Sequence, residues 1–162
     1  MSPSRQATGA GSLGNRQDPY AAFNFLVEIE GLVIAGFSDV SGLQIETVLE
    51  SYREGGLNEY EHKLAGPTRY PANLVLKHGL TASDTLWSWH QDVTRGVIKR
   101  KNGSIYLLDQ QQQTVLAWNF KGAYPVKWSG PDFKADSNNI AVETVELVHQ
   151  GISRASTAPR QN

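Results

Sequence analysis

Cysteine is absent from the 162 residues, which excludes disulfides and thiolate metal sites outright. Charge of one sign is lacking too: 15 Lys and Arg against 16 Asp and Glu leave a formal net charge of −1. Nothing in that balance draws the chain to nucleic acid or to an anionic membrane. No apolar run approaches a membrane span, and the first residues, Met-Ser-Pro-Ser-Arg, have no apolar segment behind them. A signal peptide is therefore not expected, and cytoplasmic residence is the default. Internal repeats, a Gly-x-Ser-x-Gly elbow and a phosphate loop are also missing.

What is present fits one globular domain. Forty per cent of the residues are hydrophobic, enough for a core at this length. Residues 1–17 are rich in Ser, Gly, Gln and Ala, with Leu13 as the one large apolar side chain, and read as a mobile arm. Gly9 to Gly14 formally matches a dinucleotide fingerprint. That motif needs a strand before it, and none fits ahead of residue 9, so no nucleotide is expected.

The folded part opens at Asp18-Pro19. Phe23, Phe25, Val27 and Ile29 alternate with polar or outward residues, the period of a half-buried strand. Leu32 to Phe37 reads as the return arm of a hairpin, weakened or bulged at Gly36. After a turn at Ser41-Gly42, Leu43, Ile45, Thr47 and Leu49 alternate with Gln44, Glu46, Val48 and Glu50, a strand with an acidic outer face. Tyr52 to Pro71 shows no clear period and mixes charge with Gly55-Gly56, Gly66-Pro67 and Pro71. It is either a solvated loop or a docking arm for another copy or another protein.

Asn73 to His78 is a short strand. Ser83 or Asp84 can cap a helix whose Leu86, Trp89, His90 and Val93 share a face and whose end is marked by Gly96. Lys99-Arg100-Lys101 precedes Asn102-Gly103, a hairpin-turn signal, so the basic triplet reads as a solvated turn. Ile105 and Leu107 begin another strand. Leu116, Trp118 and Phe120 give the next an aromatic core face, broken at Tyr124-Pro125. Ser129 to Asn139 is a punctuated loop, and Ile140 to Val148 is a β-branched run. Glu143 and Glu146 fall on opposite faces of that run. Either a bulge resets its register, or both faces are covered, one of them by something outside the core. The second reading is preferred, with another subunit as the cover. The sum is a mainly β protein, an antiparallel β-barrel or sandwich of six or seven strands with one α-helix.

Chemistry finds no foothold. His62, His78, His90 and His149 are not spaced as ligands on one element, so no metal is expected. Glu143 and Glu146 point apart, which counts against a shared acid–base site. The chain reads as a non-enzyme without a cofactor.

Four ordered stretches carry a resemblance. They are Asp18-Pro19-Tyr20 with Phe23 to Gly31; Gly36 to Leu43 with Tyr52 to Gly56; Leu76 to Leu80 with Ile98 to Gly103 around the Trp-rich helix; and Trp118-Asn-Phe, Ala123-Tyr-Pro, Gly130-Pro-Asp-Phe and Asn139 to His149. Spread over residues 18–152, they resemble the tail tube protein family of contractile phages and contractile injection systems. The resemblance implies a β-barrel-like subunit that forms homo-hexameric rings, stacked into a hollow tube inside a contractile sheath. It implies partners in other copies, in sheath and baseplate proteins and in possible lumen cargo. It also implies cytoplasmic assembly into a phage-tail-like particle, without membrane insertion or sequence-specific nucleic acid.

On that basis Arg53, Glu54, Tyr60, Lys63 and Arg69 are expected at subunit or ring contacts. Glu143, Val145 and Leu147 are expected in a strand clamped by a neighbour, and Gln44, Glu46 and Glu50 on the lumen. Residues 1–17 exceed the simplest family pattern and suit either a shaft subunit or a first layer at the baseplate. Residues 153–162 are expected as a flexible tail. Two alternatives stay open: the type VI secretion ring protein, and a monomeric barrel that binds a small ligand.

Overall fold

The structure is a computed structural model that describes residues 24–34, 36–53, 55–56, 61–80 and 82–156. The expected N-terminal arm lies outside the described residues. Among the described residues ten strands and one helix follow in order: β1 Phe25–Ile29, β2 Leu32–Ile34, β3 Phe37–Ser41, β4 Glu46–Tyr52, β5 His62–Arg69, β6 Leu74–Gly79, α1 Thr85–Thr94, β7 Lys101–Leu108, β8 Thr114–Ser129, β9 Val142–Val148 and β10 Gly151–Ser156. Every strand pairing is antiparallel. The mainly β class holds, with more strands than the six or seven expected.

Strand β8 organises the molecule. Its first half pairs with β7 on one edge and β10 on the other. Its second half pairs with β9, which leads through β6 to β3. Two sheets, β2-β1-β7-β8-β10 and β8-β9-β6-β3, thus share one strand. The expected break at Tyr124-Pro125 does not occur. Pro125 is buried within β8, and the register shifts between Pro125 and Lys127. A bulge accommodates the missing N–H there without ending the strand.

Apolar side chains from both sheets form one core. Val27, Ile29 and Ile34 meet Leu74, Leu76, Val145, Leu147, Phe120 and Ile152, with Leu86 and Trp89 added by the helix. The inward rows follow the registers. Val27, Ile105 and Trp118 form one row, and Ile29, Gly103 and Phe120 the next.

Gly103 explains why Asn102-Gly103 is no turn. It lies inside β7, where an added Cβ would collide with the Phe120 ring and with the Glu28 carbonyl oxygen at 2.5 Å. Asn102 accepts a hydrogen bond from Gly122 N at 3.0 Å. Tertiary packing, not turn chemistry, selects this glycine.

The true hairpin turn is Glu30-Gly31, with φ of 54° and 77°. Both values lie in the left-handed region that two-residue hairpins favour. At Gly36 the expected return arm divides into β2 and β3, which lie in different sheets. At the end of α1, Gly96 N–H donates to Val93 O at 3.0 Å and Val97 N–H to Asp92 O at 2.8 Å. This is the Schellman termination that the Gly96 signal predicts. The chain continues as strand to Ser156, past the expected boundary at 152, because β10 pairs along Leu116 to Lys121.

Candidate assembly surfaces

Half of the segment expected to be irregular is strand. β5 pairs with β4 from Glu46↔Arg69 to Tyr52↔His62, and the two form a sheet of their own. Between Thr47 and Leu49 the register shifts, with the extra residue in β5. Glu46, Glu50, Tyr52, Leu64 and Arg69 therefore share one face of the ribbon. Thr47, Leu49, Ser51, Lys63, Ala65 and Thr68 share the other.

Neither face meets the core, and Leu49 is 63% exposed, with Ile45, Tyr52 and Leu64 also more than half exposed. A lone two-stranded ribbon is marginal in water, and each such side chain would gain on the order of 1 kcal/mol on burial. The ribbon has the composition of a contact surface without its partner.

Its charges pair locally. Arg69 makes a fork to Glu46, with Nε to Oε2 at 3.2 Å and Nη2 to Oε1 at 3.0 Å. The Glu46 carboxylate raises the Arg69 guanidinium pKa through these hydrogen bonds and its charge. Arg53 Nη2 lies 2.7 Å from Glu61 Oε1. Lys63 is exposed. Gln44 is exposed in the segment before β4, outside the strand in which it was expected. Glu54 and Tyr60 lie outside the described residues.

Glu143, Val145 and Leu147 are placed differently from the expectation of a neighbour-clamped face. All three are buried within the chain itself. In β9 every second residue points inward without a break, opposite the β6 residues His78, Leu76 and Leu74. The second acidic residue on the wrong face needs neither a bulge nor a subunit. Glu143 is on the dry face because two partners satisfy it: His78 Nδ1 lies 3.3 Å from Oε1, and Trp128 Nε1 donates to Oε2 at 2.8 Å. A buried carboxylate requires such partners. Phe37 packs on His78 at 4.9 Å, and Trp87 meets Trp128 edge-on at 4.5 Å. Glu146, on the outer face, pairs with Lys127 at 3.4 Å. No signal in the sequence marks His78 and Trp128 as partners of Glu143, since they come from separate strands.

The helix buries Trp89, whose Nε1 donates to Lys99 O at 2.9 Å. The basic triplet is distributed: Lys99 pairs with Asp92 at 3.1 Å, Arg100 lies over the Tyr124 ring and Lys101 over the Trp89 ring. In the loop 130–141, Phe133 and Ile140 are 84% and 83% exposed. Among the described residues no group of three or more His, Asp or Glu is arranged to hold a metal, and no helix is long and apolar enough to cross a membrane.

Residues 21–153 match the family model of the T4-like virus tail tube protein gp19. The chain belongs to the tail tube protein family. Solved structures agree. A chain of the extended PVC sheath-tube complex, from an extracellular contractile injection system, is 26% identical with a TM-score of 0.77. That match covers 86% of this chain and 93% of the other. A chain of the six-fold symmetrised anti-feeding prophage baseplate is 28% identical with a TM-score of 0.76, covering 87% and 98%. Hcp1 from Flavobacterium johnsoniae, at 21% identity and a TM-score of 0.52 over 83% and 96%, shares the fold alone. No curated protein sequence matches significantly. The tail tube family is a structural one, and the tail tube chains of injection particles stand nearer to this protein than Hcp1 does.

Proposed function

We propose that this tail tube protein is the inner-tube subunit of a contractile injection system or phage-type tail. Six copies close a ring, rings stack into a tube with an open lumen, and sheath and baseplate proteins enclose it. The observation that carries the reading is the near full-length match at 26% and 28% identity to chains of a sheath-tube complex and a six-fold baseplate. The exposed β4–β5 ribbon supports it, because a free monomer has no use for apolar side chains held away from its core.

Within the tube, the ribbon face with Glu46 and Glu50 lines the lumen together with Gln44. Arg69 tempers that acidity by its fork to Glu46. The ribbon end, with Arg53 and Lys63, bridges one ring to the next. Assembly takes place in the cytoplasm before the particle acts.

Negative-stain electron microscopy with solution mass measurement tests this. Six-membered rings or tubes are expected from the purified protein. Arg53→Glu with Lys63→Glu should leave folded rings that no longer stack. Tubes of unchanged length in that variant would remove the ribbon end from the ring-to-ring contact. A chain that stays monomeric at every concentration would argue against the shaft role.

A further inference from the structure

We propose that the pocket where the link after β5 meets strands β8 and β10 binds a small oxyanion of the phosphate class. The pocket has a volume of about 290 Å³ and is lined by Tyr70, Asn119, Lys121, Gly151, Ile152 and Ser153. The β8–β10 register builds it: Lys121 stands opposite Gly151, and Asn119 opposite Ser153. Residues two apart on a strand share a face, so these two pairs are neighbours on the side of the sheet opposite to the core residue Phe120.

Lys121 differs from other cations of the strands. Lys77, Lys127 and Arg69 each stand opposite a carboxylate in the paired strand, Asp39, Glu146 and Glu46 respectively, and each forms an ion pair with it. Lys121 stands opposite a glycine instead and forms no ion pair among the described residues.

The missing side chain at position 151 leaves room for both Lys121 and Tyr70. A Cβ on Gly151 would lie 3.0 Å from Lys121 Cε and 3.6 Å from Tyr70 Oη. The charged end of Lys121 and the phenol hydroxyl thus converge on one point from two separate segments of the chain. Asn119 Oδ1 accepts from Ser104 Oγ at 2.7 Å, which commits the carbonyl side of that amide and leaves its N–H groups for an acceptor. Ser153 adds a hydroxyl. The set is one full positive charge and three neutral groups able to donate, with no carboxylate on the lining. Along the row through Asn119 and Ser104 the first carboxylate is Glu28, two strands away, and its Oε2 already accepts from Tyr106 Oη at 3.1 Å. Such a set suits a compact, acceptor-rich anion. Among the described residues β10 is held only along β8. An oxyanion shared by Lys121, Ser153 and Tyr70 ties that last strand to the link between β5 and β6.

The test uses the full-length chain with inorganic phosphate as the probe, titrated at constant ionic strength in chloride. Isothermal titration calorimetry and the thermal midpoint follow it. Saturable binding is expected, with a midpoint that rises as the site fills. Lys121→Met keeps the stem and removes the charge, and should weaken binding by about tenfold or more. Tyr70→Phe keeps the ring and should weaken it by about fivefold. Lys127→Met removes a cation already paired with Glu146 and should leave binding unchanged. Circular dichroism checks the fold of each variant.

Full binding by Lys121→Met would place phosphate elsewhere and overturn the proposal. Equal weakening in Lys121→Met and Lys127→Met would reduce the effect to net charge and overturn it too, as would the lack of any saturable binding. Phosphate that binds only the dissociated chain and is excluded from assembled rings would assign the pocket to a carboxylate of a neighbouring copy, and would overturn the small-ligand reading. None of these outcomes touches the tube reading, because the pocket is contained in one chain.

Discussion

Glu143 has the most demanding environment of any described carboxylate. It faces the core between His78 and Trp128, and its neighbours in the inward row are Val145 and Leu147. Removing it leaves the Trp128 N–H without its acceptor and breaks the contact with His78. Glu143→Ala should therefore lower unfolding free energy by on the order of 3 kcal/mol. Glu143→Gln, which keeps an acceptor and the shape, should lose less. Urea titration followed by tryptophan fluorescence measures both, and equal losses would show that the carboxylate charge, which both variants remove, outweighs packing and a neutral acceptor in what Glu143 contributes.

His149 is the opposite case. Its two ring nitrogens are buried and meet no hydrogen-bond partner among the described residues, while Tyr70 packs edge-on at 5.4 Å. Burial lowers its pKa, and the Ala72 backbone offsets this in part without satisfying either nitrogen. A histidine with a lowered folded pKa contributes its full stability above its ordinary value, about 6.5. Below that pH the unfolded chain takes up a proton that the folded chain resists. Stability should therefore fall as pH drops from about 6.5 toward the lowered value. His149→Phe, which retains the ring, should remove this part of the pH dependence of the denaturation midpoint. An unchanged slope between pH 7 and 5 would sink the assignment.

At the scale of elements, the ribbon is the outlier. β6 and β9 bury alternate residues and are held on both edges, whereas among the described residues β4 and β5 pair only with each other. Few buried contacts mean a low local opening free energy. Backbone amides of 46–52 and 62–69 should exchange hydrogen rapidly in the monomer and become protected in rings or tubes, while those of β6 and β9 stay protected in both. Equal ribbon exchange before and after assembly would show that the ribbon is not a subunit contact.

The legibility of these elements in the sequence follows the same division. β1, β6 and α1 announce themselves because each buries one face against its own chain, so Val27 and Ile29, Leu74 and Leu76, and Leu86 and Trp89 recur at the right period. β5 carries no such period. It has no buried face in the monomer, and Gly66-Pro67 lies within it. Pro125 and Asn102-Gly103 mislead for a related reason. A bulge and a close ring contact override the local preference of those residues.

For the whole molecule, the sheets end in edges. Among the described residues, β2, β3 and β10 each have one unpaired side, and the ribbon adds two more. Unpaired edges invite association, so a soluble monomer would protect them. A tube subunit can instead bury them between copies. Association that favours the folded state makes stability depend on concentration. The thermal midpoint should rise as protein concentration passes through the range where rings form. A concentration-independent midpoint in a ring-forming sample would show that assembly adds nothing to folding.

The sequence by itself determined the mainly β class, the single helix and its Gly96 stop, and the absence of thiol chemistry. The first two follow from local periodicity and backbone preference, the third from composition. Ordered short stretches were also enough to signal the tail tube family, which the match over residues 21–153 shows. Only the tertiary structure decided that β8 serves two sheets, that Glu143, Val145 and Leu147 lie inside the chain, and that β4 and β5 form a ribbon apart from the core. These depend on which strands become neighbours. Strand pairing joins residues as distant as His78 and Glu143, and no local pattern encodes a partner 65 residues away.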